Sequence, residues 1–502
     1  MAAEIAHQVN IHEHPVPAVI KQPKRSFVFS LKGDDRAEWI ASNLQNVPLS
    51  IRLRLEKQLG KRFDSLSIPS DRLLEEILED LGDWNYENSD YEGARECFDL
   101  AMALSDQFSR DRIQNEHMCA RVCRKLATVA KRQGQYDTIR QFSTKGIKFV
   151  KNQAQHAEEV RCQLLLAYCD CHDGNSAKAF QRFRGLLAKA KRLKDLELRA
   201  EVLDATSAAY IYQGNRKKAT EYMRKSLPLH QDFGDTRHIA DLVNNIGILY
   251  AQEYRFRGAK KYFLESQKLY QSINYTIGEA NSFNNLGILQ YNRGMYVAAK
   301  KQYNIGYNKH NEVGNIRGMI QCQINLAESH IALTENSAAL AQLQLADMAI
   351  VSNGCQIYLP HLKRLFGEVF FQQGDFDKSM DYLNEAKKLA GECNDRVEQA
   401  QSLCLVGNIF YKQKSYEQAF HNYRASLSIL RAQDEHLPLA RTMFRLGLAL
   451  IEQYVDVIRG KYFLEEAVKL YGTIDNKHEK LKVIDVLNTY RSTIAQCENE
   501  AD

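Results

Sequence analysis

The sequence predicts an all-α chain: a right-handed α-solenoid of about ten antiparallel helix pairs, closed by a C-terminal capping helix. Three observations carry that prediction. A small residue recurs every 40 positions, at Ala127, Ala167, Ser207, Gly247, Gly287, Ala327, Gly367, Gly407 and Gly447, with Gly82 ahead of the series. Around each of these, apolar residues fall at i, i+3, i+4 and i+7, the stripe of an amphipathic helix. Pro is only 8 and Gly 26 of 502 residues, too few for an all-β fold rich in turns or for a low-complexity chain. A long, regular period marks stacked units that cannot bury their apolar faces alone.

Taken in order, residues 1–35 hold three of the eight prolines and little apolar content. They are expected to form a flexible tail. Residues 36–73 are expected to supply one or two leading helices, and 74–475 the solenoid. Within a unit, the first helix ends at a turn of the form Gly-X-aromatic, as in Gly134-Gln135-Tyr136, Gly294-Met295-Tyr296 and Gly374-Asp375-Phe376. A glycine there permits the left-handed conformation that stops a helix. The second helix carries a small residue twelve positions after the first one (Ala179, Ala219, Ala259, Ala299, Ala339, Ser379, Ala419). Four positions further lies a bulky one (Phe183, Met223, Phe263, Tyr303, Leu343, Leu383, Tyr423). The small residues let two helix axes approach, and the bulky one fills the gap beside them. The second unit departs from this, with Ile139, Ser143 and Gly146. The tenth fits with one inserted residue, giving Gly460, Leu464 and Ala467. Residues 476–496 read as the capping helix and 497–502 as a disordered end.

The charge balance, Lys+Arg 67 against Asp+Glu 62, is mild and gives no case for nucleic acid, which needs a clustered basic face. Stretches such as Lys189–Arg192 and Lys260–Lys261 read as solvated helix faces. No apolar run reaches the length of a membrane span. The N-terminus lacks a basic region followed by an apolar core, so it is not a secretory signal. Eleven cysteines without such a signal imply reduced thiols in a cytosolic or nuclear setting; the expected location is the cytoplasm, with cytoskeletal association as its extension. Phosphate-loop, dinucleotide, nucleophile-elbow and HExxH patterns are missing, so neither catalysis nor a cofactor is expected. Cys119, Cys123, Cys162, Cys169, Cys171 and His172 form a cluster with ligand chemistry, and His12-Glu13-His14 in the tail is a weaker one. The first contains no CxxC pair, and buried cysteine commonly packs as a small hydrophobe. No metal site is expected.

The small residue at place eight of the first helix, an aromatic near place eleven (Tyr210, Tyr250, Phe370, Phe410), and the Ala-aromatic-Ala rhythm of the second helix resemble the tetratricopeptide repeat over residues 74–470. The period exceeds the usual 34. It is similar to the long-helix type of Pins-like polarity adaptors, kinesin light chains and bacterial regulators such as the maltose activator. The segment GEANSFNNLGILQY (278–291) is most similar to the first two. The resemblance implies that first helices line a concave side. It also implies that Asn245, Asn285 and Asn325 at place six hold the backbone of a bound peptide; Asn244 and Asn284 stand beside them at place five. Gln252, Tyr291, Asn292, Arg364 and Asn408 surround them. A carboxamide both donates and accepts, which suits a peptide backbone; the alternative is that these amides only knit neighbouring helices. The expected function is a non-enzymatic adaptor with protein partners. A structural subunit of a ciliary or cell-cycle assembly, or a ligand-sensing regulator of bacterial type, are the alternatives.

Overall fold

The computed structural model describes residues 78–83, 85–86, 91–108, 112–151, 157–433 and 435–501. The expected tail at 1–35 and leading helices at 36–73 lie outside them. Every described element is helical, and none is a strand. The chain is an all-α solenoid, which divides into two compact units between Phe233 and Gly234.

In the first unit, α1 (Tyr91–Phe108) follows the short helical segment at 78–83. Three helix pairs come next: α2 (Arg112–Arg132) with α3 (Tyr136–Val150), α4 (Ala157–His172) with α5 (Ser176–Leu193), and α6 (Leu196–Tyr212) with α7 (Arg216–Phe233). The second unit holds six pairs: α8 (Thr236–Gln252) with α9 (Phe256–Ser272), α10 (Thr276–Asn292) with α11 (Tyr296–Glu312), α12 (Ile316–Ala332) with α13 (Asn336–Asn353), α14 (Leu359–Gln373) with α15 (Phe376–Glu392), α16 (Arg396–Lys412) with α17 (Tyr416–Arg431), and α18 (His436–Glu452) with α19 (Val457–Thr473). Where one capping helix was expected over 476–496, there are two, α20 (Lys477–Thr489) and α21 (Arg491–Ala501). They break at Tyr490, whose hydroxyl donates to Glu452 Oε1 at 3.2 Å. The second helix runs on through residues expected to be disordered. The inserted residue of the tenth unit is visible as a start of α19 at Val457, one place late; Leu464 and Ala467 are fully buried there.

Packing inside each pair follows the small-and-bulky rule. A Cβ placed on Gly247 would stand 2.7 Å from the Phe263 ring, and one on Gly407 2.7 Å from Tyr423. Such distances force a neighbour to move, so close-packed interiors select glycine at these places. The turns are more regular than the glycines suggested. Positive φ occurs at 134, 174, 214, 254, 294, 334, 374, 414 and 454, although Tyr254, Thr334, Lys414 and Tyr454 take the place of glycine. A second series lies between the units, at 194, 234, 274, 314, 354, 394 and 475. Helix starts after this second series are often capped. Asp195, Asp235, Asn315, Asp395 and Asn476 each accept a hydrogen bond from a backbone N–H three residues on, satisfying a donor that the helix leaves open.

Within each unit the first helices of successive pairs touch one another, while second helices of successive pairs hardly meet. First helices therefore line the inner side and second helices the outer. In the second unit the inner side also meets a later part of the same unit. Arg293 Nη2 lies 2.6 Å from Asp475 Oδ2, and Asn476 Nδ2 donates to the Asn292 carbonyl at 3.0 Å. The backbone N–H of His436 donates to Tyr254 Oη at 3.0 Å, with the two rings 4.2 Å apart.

Candidate functional site

The asparagine row sits on α8, α10 and α12, and it forms a ladder. Asn285 Nδ2 donates to Asn244 Oδ1 at 3.0 Å, and Asn325 Nδ2 donates to Asn284 Oδ1 at 2.9 Å. The place-six amides Asn285 and Asn325 thus each bind the place-five amide of the unit before, because the 40-residue register sets them side by side. The Cys322 thiol adds a weak bond to Asn284 Oδ1 at 3.7 Å. Asn244, Asn245, Asn284 and Asn285 are buried, and Asn325 is half-buried. Asn245 Oδ1 is buried without a hydrogen-bond partner, as is Gln252 Oε1 at the far end of α8.

The remaining expected residues have protein partners. Arg364 is 2% exposed and stands among three carboxylates. Its Nε donates to Glu398 at 2.6 Å, its Nη1 to Glu368 at 3.3 Å and its Nη2 to Glu328 at 3.5 Å. Burial alone would raise the Glu398 carboxyl; the adjacent guanidinium overrides it and holds that carboxyl below its ordinary value. Tyr291 is buried, and its hydroxyl accepts from Arg441 Nη2 at 3.0 Å. Burial raises the Tyr291 hydroxyl well above the usual phenol range. Asn408 is buried and its Oδ1 accepts from the Tyr423 hydroxyl at 2.8 Å. Asn292 is half-buried, with its carbonyl bound by Asn476. The structure therefore pairs Asn285 with Asn244 and Asn325 with Asn284, leaves Asn245 Oδ1 unpartnered in the same row, and gives Arg364, Tyr291 and Asn408 separate surroundings. Sequence reasoning missed the carboxylates around Arg364 as a group. The 40-residue step between Glu328 and Glu368 was the available signal; Glu398 lies off that register.

The inner side of the first unit differs. A cleft of about 630 Å³ is lined by α2, α4 and α6. An ion-pair ladder takes the place of the amides there. Arg121 bonds Glu79 at 2.6 Å, Arg124 bonds Glu158 at 2.7 Å, and Arg161 bonds Glu158 at 3.0 Å and Glu201 at 2.9 Å. The cysteines that were weighed as ligands are buried thiols in this unit. Burial pushes Cys162 up to about 12 and Cys169 up to about 11, so both are protonated thiols near neutrality.

The family model described as tetratricopeptide repeat matches residues 361–432, which run from α14 to the end of α17. Over those residues the chain is similar to the tetratricopeptide repeat. No curated protein matches the sequence. Among solved structures, aspartyl phosphate phosphatase F from Bacillus subtilis is 12% identical, with a TM-score of 0.52 over 73% of this chain and 96% of that one. The apo form of RapI is 14% identical, with a TM-score of 0.55 over 71% of this chain and 98% of that one. At these identities the likeness is one of fold. Among the described residues, no helix is long and apolar enough to cross a membrane.

Proposed function

We propose that the chain is a non-enzymatic interaction scaffold of the cytoplasm, whose amide strip on α8, α10 and α12 holds an extended peptide segment of a partner protein. The observation that carries this is the half-used state of the strip. Asn285 and Asn325 donate sideways to the preceding unit, which fixes their rotamers, and Asn245 Oδ1 has no partner. A buried amide oxygen without a bond costs about 1–3 kcal/mol, and a peptide N–H would relieve it. The resemblance to the Pins and kinesin light-chain type supports the same reading. With Arg364 held by three carboxylates, selectivity among peptides falls to neighbours of the strip such as Asn281, half-buried on α10.

The test is a double variant, Asn245→Ala with Asn325→Ala. Asn325 is the mildest member of the ladder to remove, since Asn284 Oδ1 keeps its contact with Cys322. A phage-displayed library of random peptides selected on the wild-type chain is expected to yield binders that lose about tenfold or more in affinity on the double variant, a change of ~1.4 kcal/mol, with helical circular dichroism unchanged. Equal binding by the two proteins removes the strip as the site.

A further inference from the structure

The near-neutral whole chain conceals a strongly basic stretch. Residues 121–233 carry 23 Lys and Arg against 11 Asp and Glu, a net +12, although the chain as a whole is +5. The excess lies on the outer helices. Helix α5 has six basic residues and no acidic one, and α7 has Arg216, Lys217, Lys218, Arg224 and Lys225 against Glu221 and Asp232. The repeat register turns these into rows across adjacent helices: Lys151 with Lys191, Lys178 with Lys218, Arg184 with Arg224. Arg184, Lys191 and Lys217 are exposed. The acids close by are largely engaged: Asp170 by Lys178 and Arg182, Glu221 by Lys225.

We infer that the outer face of α3, α5 and α7 is a docking surface for a carboxylate-rich segment of another protein. Charge complementarity names the sign of the occupant, and three features select its class. Among the described side chains of α3, α5 and α7, no large apolar or aromatic one is exposed. A single-stranded nucleic acid would lack the stacking platform that supports such binding, and a membrane surface would lack the apolar side chains that enter it. The first helices touch while the second helices diverge, so the face curves outward. Duplex DNA, stiff over about 50 nm, meets a convex surface along a line, whereas a flexible acidic chain can follow it. This surface is separate from the amide strip and stands or falls independently of it.

The experiment uses the full chain and fluorescently labelled poly-L-glutamate as the probe, followed by anisotropy at several salt concentrations. Binding that weakens steeply with salt is expected. The variant Arg184→Glu with Lys191→Glu and Lys217→Glu is expected to lose about tenfold or more in affinity, and the corresponding three-glutamine variant to lose less. A control with equal charge change elsewhere, Lys260→Glu with Lys261→Glu and Lys268→Glu on α9, is expected to keep its affinity, and circular dichroism shows that all three remain folded. Three results overturn the inference: no poly-glutamate binding, equal loss in the α9 control, or tighter binding of a duplex DNA or phosphatidylserine vesicle probe than of poly-glutamate.

Discussion

At the scale of the residue, Arg364 shows how a polar position that the register assigns to the inner surface becomes an internal anchor. Its charge is balanced by Glu328, Glu368 and Glu398 on three helices, α12, α14 and α16. Removing one partner of a buried ionic group costs about 3–5 kcal/mol. Arg364→Leu is therefore expected to lower the urea midpoint strongly at neutral pH. The pH profile should also change sign. In the wild type the Glu398 carboxyl is held low, so its contribution is present above the ordinary carboxylate value of about 4.3 and is lost as pH falls through the lower folded value. In the variant burial acts alone and raises that carboxyl, so the penalty of the substitution shrinks as the solution is acidified. Urea titrations at pH 7 and 5 check this; a constant difference between the two proteins contradicts it. The identity of Arg364 as a notable residue was legible from its type and place in the repeat. Of its partners, Glu368 was within reach of a sequence reading, four places on along the same helix; Glu328 and Glu398 were not, because they come from neighbouring units and meet Arg364 only after folding.

At the scale of the element, the 40-residue step showed the first helices and their small residues in full. It also located the late start of α19. The turns were only half legible. Glycine marked some left-handed positions, but the repeat imposes that conformation wherever the register requires it, including on Thr334 at φ 60°. A β-branched residue is poorly suited to that region, and left-handed backbone costs an L-residue roughly 1–2 kcal/mol. Thr334→Gly is expected to stabilise the chain by up to about 1 kcal/mol, seen as a raised thermal midpoint. A lowered midpoint would mean that the Thr334 side chain contributes more than its backbone costs. The same reasoning explains why a single capping helix was expected at the C-terminus: periodicity continues across Tyr490, and only the Tyr490–Glu452 contact, absent from any local pattern, coincides with the break.

At the scale of the molecule, composition misled in one respect. A net +5 averaged a basic stretch, 121–233 at +12, with an acidic one, 1–120 at −7, and a neutral 234–502, and the exclusion of a charged face rested on that average. The contacts of Tyr254, Asn292 and Arg293 with His436, Asp475 and Asn476 were illegible for another reason: their partners lie 182 to 184 residues apart, and a repeat pattern reports only neighbours. Asp475→Ala with Asn476→Ala is expected to speed hydrogen exchange at the C-terminal end of α10, around Gln290 to Arg293, while exchange in α13 stays as in the wild type. Exchange confined to α20 would show that these contacts do not hold the α10 end.

Those contacts also limit how such a protein can change its length. In an open array, whole units can be gained or lost by duplication or deletion, since each touches only its neighbours. Here an extra 40-residue unit inserted anywhere between α12 and α17 would move Asp475 and Asn476 one pair further from Arg293 and Asn292. The pair count of the second unit is thereby set, as teeth are set on two gears that must mesh.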